Sequence, residues 1–174
     1  MLRVELFGSF FSQKRTRKFI YLKKRETEIL IIGGGIAGCI AAIALAKQYQ
    51  VTLIDKLAEP KERIGESLVP AAQRILKESN LLEGMQTAEG ELYLNNQGMQ
   101  SYWGSEQVQI NDHLRNPDGF SRSLDRRAFE IYLRKAAEER GVTSLWQCQL
   151  VRSKFEDKRW HITTKKGGSE ETIA

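Results

Sequence analysis

Metal and redox chemistry have little to work with in this chain, whose 174 residues hold two cysteines and two histidines. Cys39 and Cys148 lie far apart without C-x-x-C spacing, and only His113 and His161 could join them as ligands, so there is no metal-site signature. Two such thiols suggest a reducing, cytoplasmic compartment. A long uninterrupted apolar run is also lacking. The longest, Ile29 to Leu45, is broken by four glycines and one cysteine, spacing that suits a strand, turn and helix rather than a membrane span, and no transmembrane segment is predicted. A basic surplus is missing where it would matter. The net charge of +5 comes from residues 1–28, which carry eight Lys/Arg against three Asp/Glu and leave 19 against 19 beyond. A neutral main body has no electrostatic footprint for nucleic acid, which is excluded as a partner.

What remains is 41 % apolar and 28 % charged, the composition of one globular domain. Residues 1–27 read as a basic N-terminal extension, expected to be disordered. Its cations alternate with Phe10, Phe11, Phe19, Ile20 and Tyr21, which leaves a membrane-surface or targeting helix open, although a small-residue cleavage site is lacking.

From Glu28 the pattern sharpens. "EILIIGGGIAGCIAAIALAKQYQVTLIDK" is an aliphatic run, a glycine turn, an Ala-rich helix and a second apolar run, that is, a β-α-β unit. The first strand, Ile29 to Ile32, is apolar on both faces, as a central parallel strand must be. Gly33, Gly35 and Gly38 make the G-x-G-x-x-G spacing: the first for the tight turn, the second for backbone approach to a pyrophosphate, the third for close helix–strand packing. The helix N-terminus adds N–H groups and a positive dipole end. The second strand ends in Asp55, 17 residues after Gly38, placed to accept from a ribose hydroxyl.

Next, a loop leads to an amphipathic helix from about Pro70 to Asn80, closed by Leu81 to Gly84. "ELYLNNQGMQSYWG" predicts a β-hairpin bending at Asn95 to Gly98, with Trp103 filling its apolar face or facing substrate. "SLDRRAFEIYLRKAAEERGV" predicts a helix capped by Asp125, apolar along Ala128, Phe129, Tyr132, Leu133 and Ala136, and ended by Gly141. After it come two strands about a turn at Glu156 to Lys158, a second turn at Gly167-Gly168, and the start of another strand.

The order GGGIAG, IDK, RIGESLVP, SYWG, NPDGF and LDRRAFEIYLRKAAEERG resembles the N-terminal half of FAD-dependent monooxygenases and tryptophan-halogenase-like flavoproteins, from about Glu28 onward. Within that superfamily it looks most like the halogenase-like flavoproteins that mature quinone-cofactor amine oxidases by modifying a protein side chain. The resemblance implies an α/β fold: a Rossmann-like FAD-binding fold with a parallel sheet and a β-hairpin insertion. It also implies that residues 28–174 are an incomplete FAD-binding domain, ending before the substrate domain.

For FAD, the resemblance brings Arg63 to Pro70 close to the flavin. Gly65 allows close approach, and Glu66 and Ser67 can hydrogen-bond the cofactor. Arg63 can pair with the pyrophosphate or be a solvated charge, and Glu66 can instead cap the following helix. Arg126 matches the Arg of the family's Leu-Asp-Arg segment and can meet phosphate or adenine, or form an i,i+4 ion pair with Glu130. Glu66 is the only carboxylate offered as a general acid or base.

Two departures stand out. Arg122 and Ser123 replace an aromatic and a His before Leu-Asp-Arg, and "AEGELYLNN" lacks the lysine that flavin halogenases use on hypohalous acid. Oxygenation of an aromatic or protein-side-chain substrate is therefore expected rather than chlorination, with a flavin reductase or a complementing C-terminal polypeptide as partners. An inactive fragment, a nucleotide-binding module completed by a second polypeptide, and an NAD(P)-dependent reductase are the alternatives.

Overall fold

The computed structural model describes residues 24–88, 92–104 and 106–174. Up to residue 23 the basic extension lies outside the described residues. Its end, Lys24–Arg25, forms a short strand, β1.

The fold is organised by β3 (Val51–Asp55), whose side chains alternate between two cores: Val51 and Leu53 enter one, Ile54 the other. A strand apolar on both faces needs a layer on each side. β3 lies between two parallel neighbours, β2 (Ile29–Ile32) and β9 (Thr143–Trp146), with Ile31 opposite Leu53 and Leu145 opposite Ile54. On one side pack α1 (Ile36–Leu45) and α4 (Arg126–Glu139). α1 is built of Ile, Ala, Gly, Cys and Leu, and it buries Cys39, Ala42 and Ile43. α4 is amphipathic. It buries Phe129, Leu133, Ala136 and Ala137, starts where Asp125 Oδ1 accepts the Ala128 N–H at 2.8 Å, and ends before Gly141 at φ +84°.

The other side of the sheet is covered by an antiparallel meander of β10 (Gln149–Glu156), β11 (Arg159–Lys166) and β12 (Ser169–Ile173), with β1 running parallel to β12. Ile162 and Ile173 pack there on Leu30, Ile54, Leu145 and Cys148. Its two tight turns, Asp157-Lys158 and Gly167-Gly168, hold positive φ at all four residues, the twist that joins right-handed antiparallel strands. Outside these layers, β4 (Ser67–Leu68), β8 (Ser121–Leu124) and β5 (Tyr93–Asn96) form a small antiparallel sheet in the order β4-β8-β5. β6 (Gly98–Ser101) and β7 (Gln109–Asp112) form a hairpin. Two short helices, α2 (Ala72–Glu78) and α3 (Leu82–Thr87), connect β4 to β5. No helix among the described residues is long and apolar enough to cross a membrane.

The mixed α/β fold with a parallel sheet is the one expected, and several local expectations are corrected. β2 is an edge strand of its sheet rather than a central one, and Ile32 is 53 % exposed. The Asn95–Gly98 bend does not close a hairpin: β5 pairs with β8, and β6 turns back on β7 instead. Trp103 does not fill an apolar face but is 85 % exposed. Leu81 to Gly84 does not merely close a helix. Asn80, at φ +52°, breaks the chain direction and α3 follows. The run after Gly141 makes two strands, not one, before the first turn. Gln147 at φ +57° separates β9, which joins the parallel sheet, from β10, which joins the meander, so the third parallel strand of the nucleotide fold is present.

Candidate dinucleotide site

The chain passes from β2 into α1 over three glycines in a row. Gly33 takes φ +113°, a value that a side chain disfavours. A Cβ on Gly38 would overlap the Gly33 carbonyl and lie 3.5 Å from Ile31 Cγ2, so α1 sits hard against the strand. A Cβ on Gly35 would meet nothing nearer than Glu130 Oε1 at 3.9 Å. Space is therefore open in front of α1. That helix has no side-chain cap and no acidic residue in its first turn. Uncapped N–H groups at a helix start, facing free space, carry partial positive charge and accept an anion.

Asp55 ends the neighbouring strand, but its carboxylate is already engaged. Oδ2 accepts the Gly34 N–H at 2.7 Å and Oδ1 accepts the Leu57 N–H at 2.7 Å. Asp55 thus braces the turn, with lone-pair capacity left for a ribose hydroxyl.

A second group of the residues expected at the site lies at the start of α4 and in the loop before β4. Arg63, Gly65, Arg126 and Arg127 line a cleft of about 410 Å³ together with Glu62 and Asp125. Arg126 Nε donates to Glu130 Oε1 at 2.8 Å, and its Nη1 donates to Glu66. The i,i+4 pair with Glu130 is formed, and Arg126 also ties the Gly65–Ser67 segment to α4. Glu66 does not cap a helix: α2 follows Ala71 with no side-chain cap. Glu130 is 4 % exposed in its side chain and stands between Arg126 and Gly35, so the arginine is one carboxylate away from the glycine turn. The hydrogen bond to Glu130 raises the Arg126 pKa above the ordinary arginine value, so the guanidinium stays charged. Ser67 lies on β4 opposite Ser123, exposed, and no hydrogen bond joins its side chain to the rest of the site.

Three participants escape a sequence reading. Gly34 is sterically constrained where Gly35 is not, since a Cβ there would lie 2.5 Å from Trp146 Cζ3 and 3.2 Å from Asp55 Cβ. Trp146 ends β9, and its ring carries the Arg134 guanidinium 4.0 Å from its centroid. Arg134 Nε donates to the Gly34 carbonyl at 2.9 Å. The i, i+4, i+8 spacing of Arg126, Glu130 and Arg134 is the only sequence signal that these charges share one face of α4. Cys39 is enclosed in the same helix pair, and burial pushes its thiol up to about 12. It is an inert packing group.

Residues 28–99 match the family model described as tryptophan halogenase. The tryptophan 2-halogenase of Chondromyces crocatus is 31 % identical over 135 residues, which is 77 % of this chain and 25 % of that protein. The flavin-dependent halogenase armH1 of Armillaria mellea is 34 % identical over 127 residues, 67 % of this chain and 22 % of that one. Among solved structures, the myxobacterial chondrochloren halogenase CndH, an FAD-dependent halogenase, matches with a TM-score of 0.75 at 25 % identity, over 86 % of this chain and 35 % of that chain. This chain therefore spans about a quarter of the length of the curated relatives it matches. The cofactor these matches imply is FAD. The open, uncapped start of α1 suits the negative diphosphate of that cofactor, and the cleft at the start of α4 carries arginines of the opposite charge.

Proposed function

We propose that this chain, similar to the tryptophan halogenase family over residues 28–99 and to flavin-dependent halogenases over more of its length, forms the FAD-holding part of a flavin-dependent monooxygenase acting on an aromatic or protein-side-chain substrate. The single observation that carries the reading is the glycine turn before α1, where Gly35 faces open space and the helix start has no cap of its own. In this reading the N–H groups at the start of α1 hold the diphosphate and Asp55 accepts from the ribose. Arg63 and Arg126 offset the phosphate charge from the cleft, and Gly65, Glu66 and Ser67 pass beside the flavin. The bound FAD supplies the redox and oxygen chemistry. The protein's part is to orient it and exclude water.

An electron-rich aromatic substrate is supported by the relative named for tryptophan. Oxygen transfer is favoured over halogenation because Ala88 to Asn96 contains no lysine. The test is the visible absorbance spectrum of the purified chain after incubation with FAD and desalting, beside a Gly35→Val variant whose side chain would fill the diphosphate approach. Retained flavin bands in the wild type and none in the variant are expected. Equal retention in both would refute the placement.

A second reading is favoured by the edge of β2 that no strand pairs with among the described residues. A cleft of about 810 Å³ opens there, lined by Leu30, Ile32, Leu150, Trp160, Ile162 and Ile173, and Trp160 is 57 % exposed. We infer that a further polypeptide segment completes the sheet at this edge. Colourless protein after desalting, made yellow by co-expression with a polypeptide carrying the remainder of such a flavoprotein, would favour this reading.

A further inference from the structure

We propose that Arg134 is a positioning residue for the FAD site: through its guanidinium it aims the Gly35 N–H toward the cofactor, an inference that rests on the flavin reading above. Arg134 lies on α4, its side chain 8 % exposed, and every direction of its fork is occupied. Nε donates to the Gly34 carbonyl at 2.9 Å. Nη1 donates to the carbonyls of Ala58 at 3.1 Å and Leu57 at 3.4 Å. Nη2 pairs with Asp55 Oδ2 at 3.6 Å. The Trp146 ring backs the flat face.

Both peptide units around Gly34 are therefore fixed. The N–H of the first is held by Asp55, and the C=O of the second is held by Arg134. In a trans peptide the C=O and the following N–H point in opposite directions. Anchoring the Gly34 carbonyl on a buried cation thus turns the Gly35 N–H away from α4's guanidinium. The same guanidinium holds the segment after β3 through Leu57 and Ala58. One side chain thereby sets the spacing between the two parts of the site that Asp55 also joins.

Lysine cannot replace it. An ammonium keeps the charge opposite Asp55 but lacks the planar fork that meets three carbonyls while stacking on an indole. The experiment compares FAD dissociation constants, from quenching of flavin fluorescence well below the melting temperature, for wild type, Arg134→Lys, and Ile162→Val. The last is a control that loosens the meander core on the far side of the sheet. Backbone amide spectra of Gly34 and Gly35 are recorded for each without ligand.

Arg134→Lys is expected to bind FAD at least tenfold more weakly and to shift both amides, with the control within twofold of wild type and its glycine amides unmoved. FAD binding by Arg134→Lys within twofold of wild type would overturn the inference, as would an equal loss in the control. If the wild type itself binds no FAD, the reading that this chain holds FAD by itself fails instead, and the amides alone decide. Unshifted Gly34 and Gly35 signals in Arg134→Lys would then refute the positioning role.

Discussion

Gly34 and Gly35 are adjacent in one turn, yet a methyl group added to each should produce opposite results. At Gly34 the new Cβ would lie 2.5 Å from Trp146 Cζ3 and 3.1 Å from Cη2. Carbon atoms rest about 3.5–4.0 Å apart, so ring and turn must separate by roughly 1 Å. The indole cannot swing away freely, because its Nε1 donates to Glu138 Oε1 at 2.9 Å and Arg134 stacks on its face. Overpacking of this kind costs about 1–3 kcal/mol. For a chain of this size each kcal/mol lowers Tm by about 2–4 °C, so Gly34→Ala should melt roughly 2–12 °C below wild type. At Gly35 the nearest atom would be 3.9 Å away, an ordinary contact. Gly35→Ala should change stability by no more than about 0.5 kcal/mol while weakening FAD binding at least tenfold. Melting followed by circular dichroism and flavin fluorescence titration separate the two effects. In Gly34→Ala/Trp146→Phe the offending ring carbon is gone, so the combined loss should be smaller than the sum of the single losses. Equal melting temperatures for the two alanine variants, or strict additivity in the double variant, would refute this account of the turn.

Other outcomes follow from neighbouring contacts. Asp125→Ala removes the cap on the Ala128 N–H and should cost about 1 kcal/mol, read as a lower urea midpoint. Arg126→Met leaves the buried Glu130 carboxylate without its cation and should destabilise by about 3 kcal/mol, most of which Arg126→Met/Glu130→Gln should recover. The Cys39 thiol, raised by burial from 9.0 to about 12, favours the folded state below pH 9, where both states hold the proton. That contribution declines as pH rises from about 9 towards 12, because the unfolded thiol ionises first. Urea midpoints should therefore fall more steeply above pH 9 for wild type than for Cys39→Ala, and parallel curves would contradict this.

The β-α-β unit was legible because its signals are local. Four aliphatic residues, a glycine turn and a strand ending in an acid give β2 and β3 the limits expected of them. Asp125 as a cap and Gly141 as a stop were legible for the same reason. Pairing was not. β5 meets β8 across a long stretch of chain, and nothing in Asn95–Gly98 distinguishes a bend between two sheets from a hairpin. The division of one alternating run into β9 and β10 depends on Gln147 adopting a left-handed conformation that its residue type does not announce. At the site, the glycines declared themselves by spacing. Arg134 and Trp146 did not, because an arginine on a helix and a tryptophan at a strand end acquire meaning only when packing brings them against Gly34.

The bond from Arg134 to the Gly34 carbonyl spans 100 residues of sequence, which has a kinetic meaning. Closing a loop of that length costs roughly 4 kcal/mol of chain entropy, about 1 kcal/mol more than closing the short β-α-β unit it serves. The glycine turn can be assembled early, but its final shape must await the docking of α4, a contact of high sequence separation. During refolding, helical circular dichroism should therefore return before the capacity to quench flavin. A newly made chain would remain blind to its cofactor until α4 arrived.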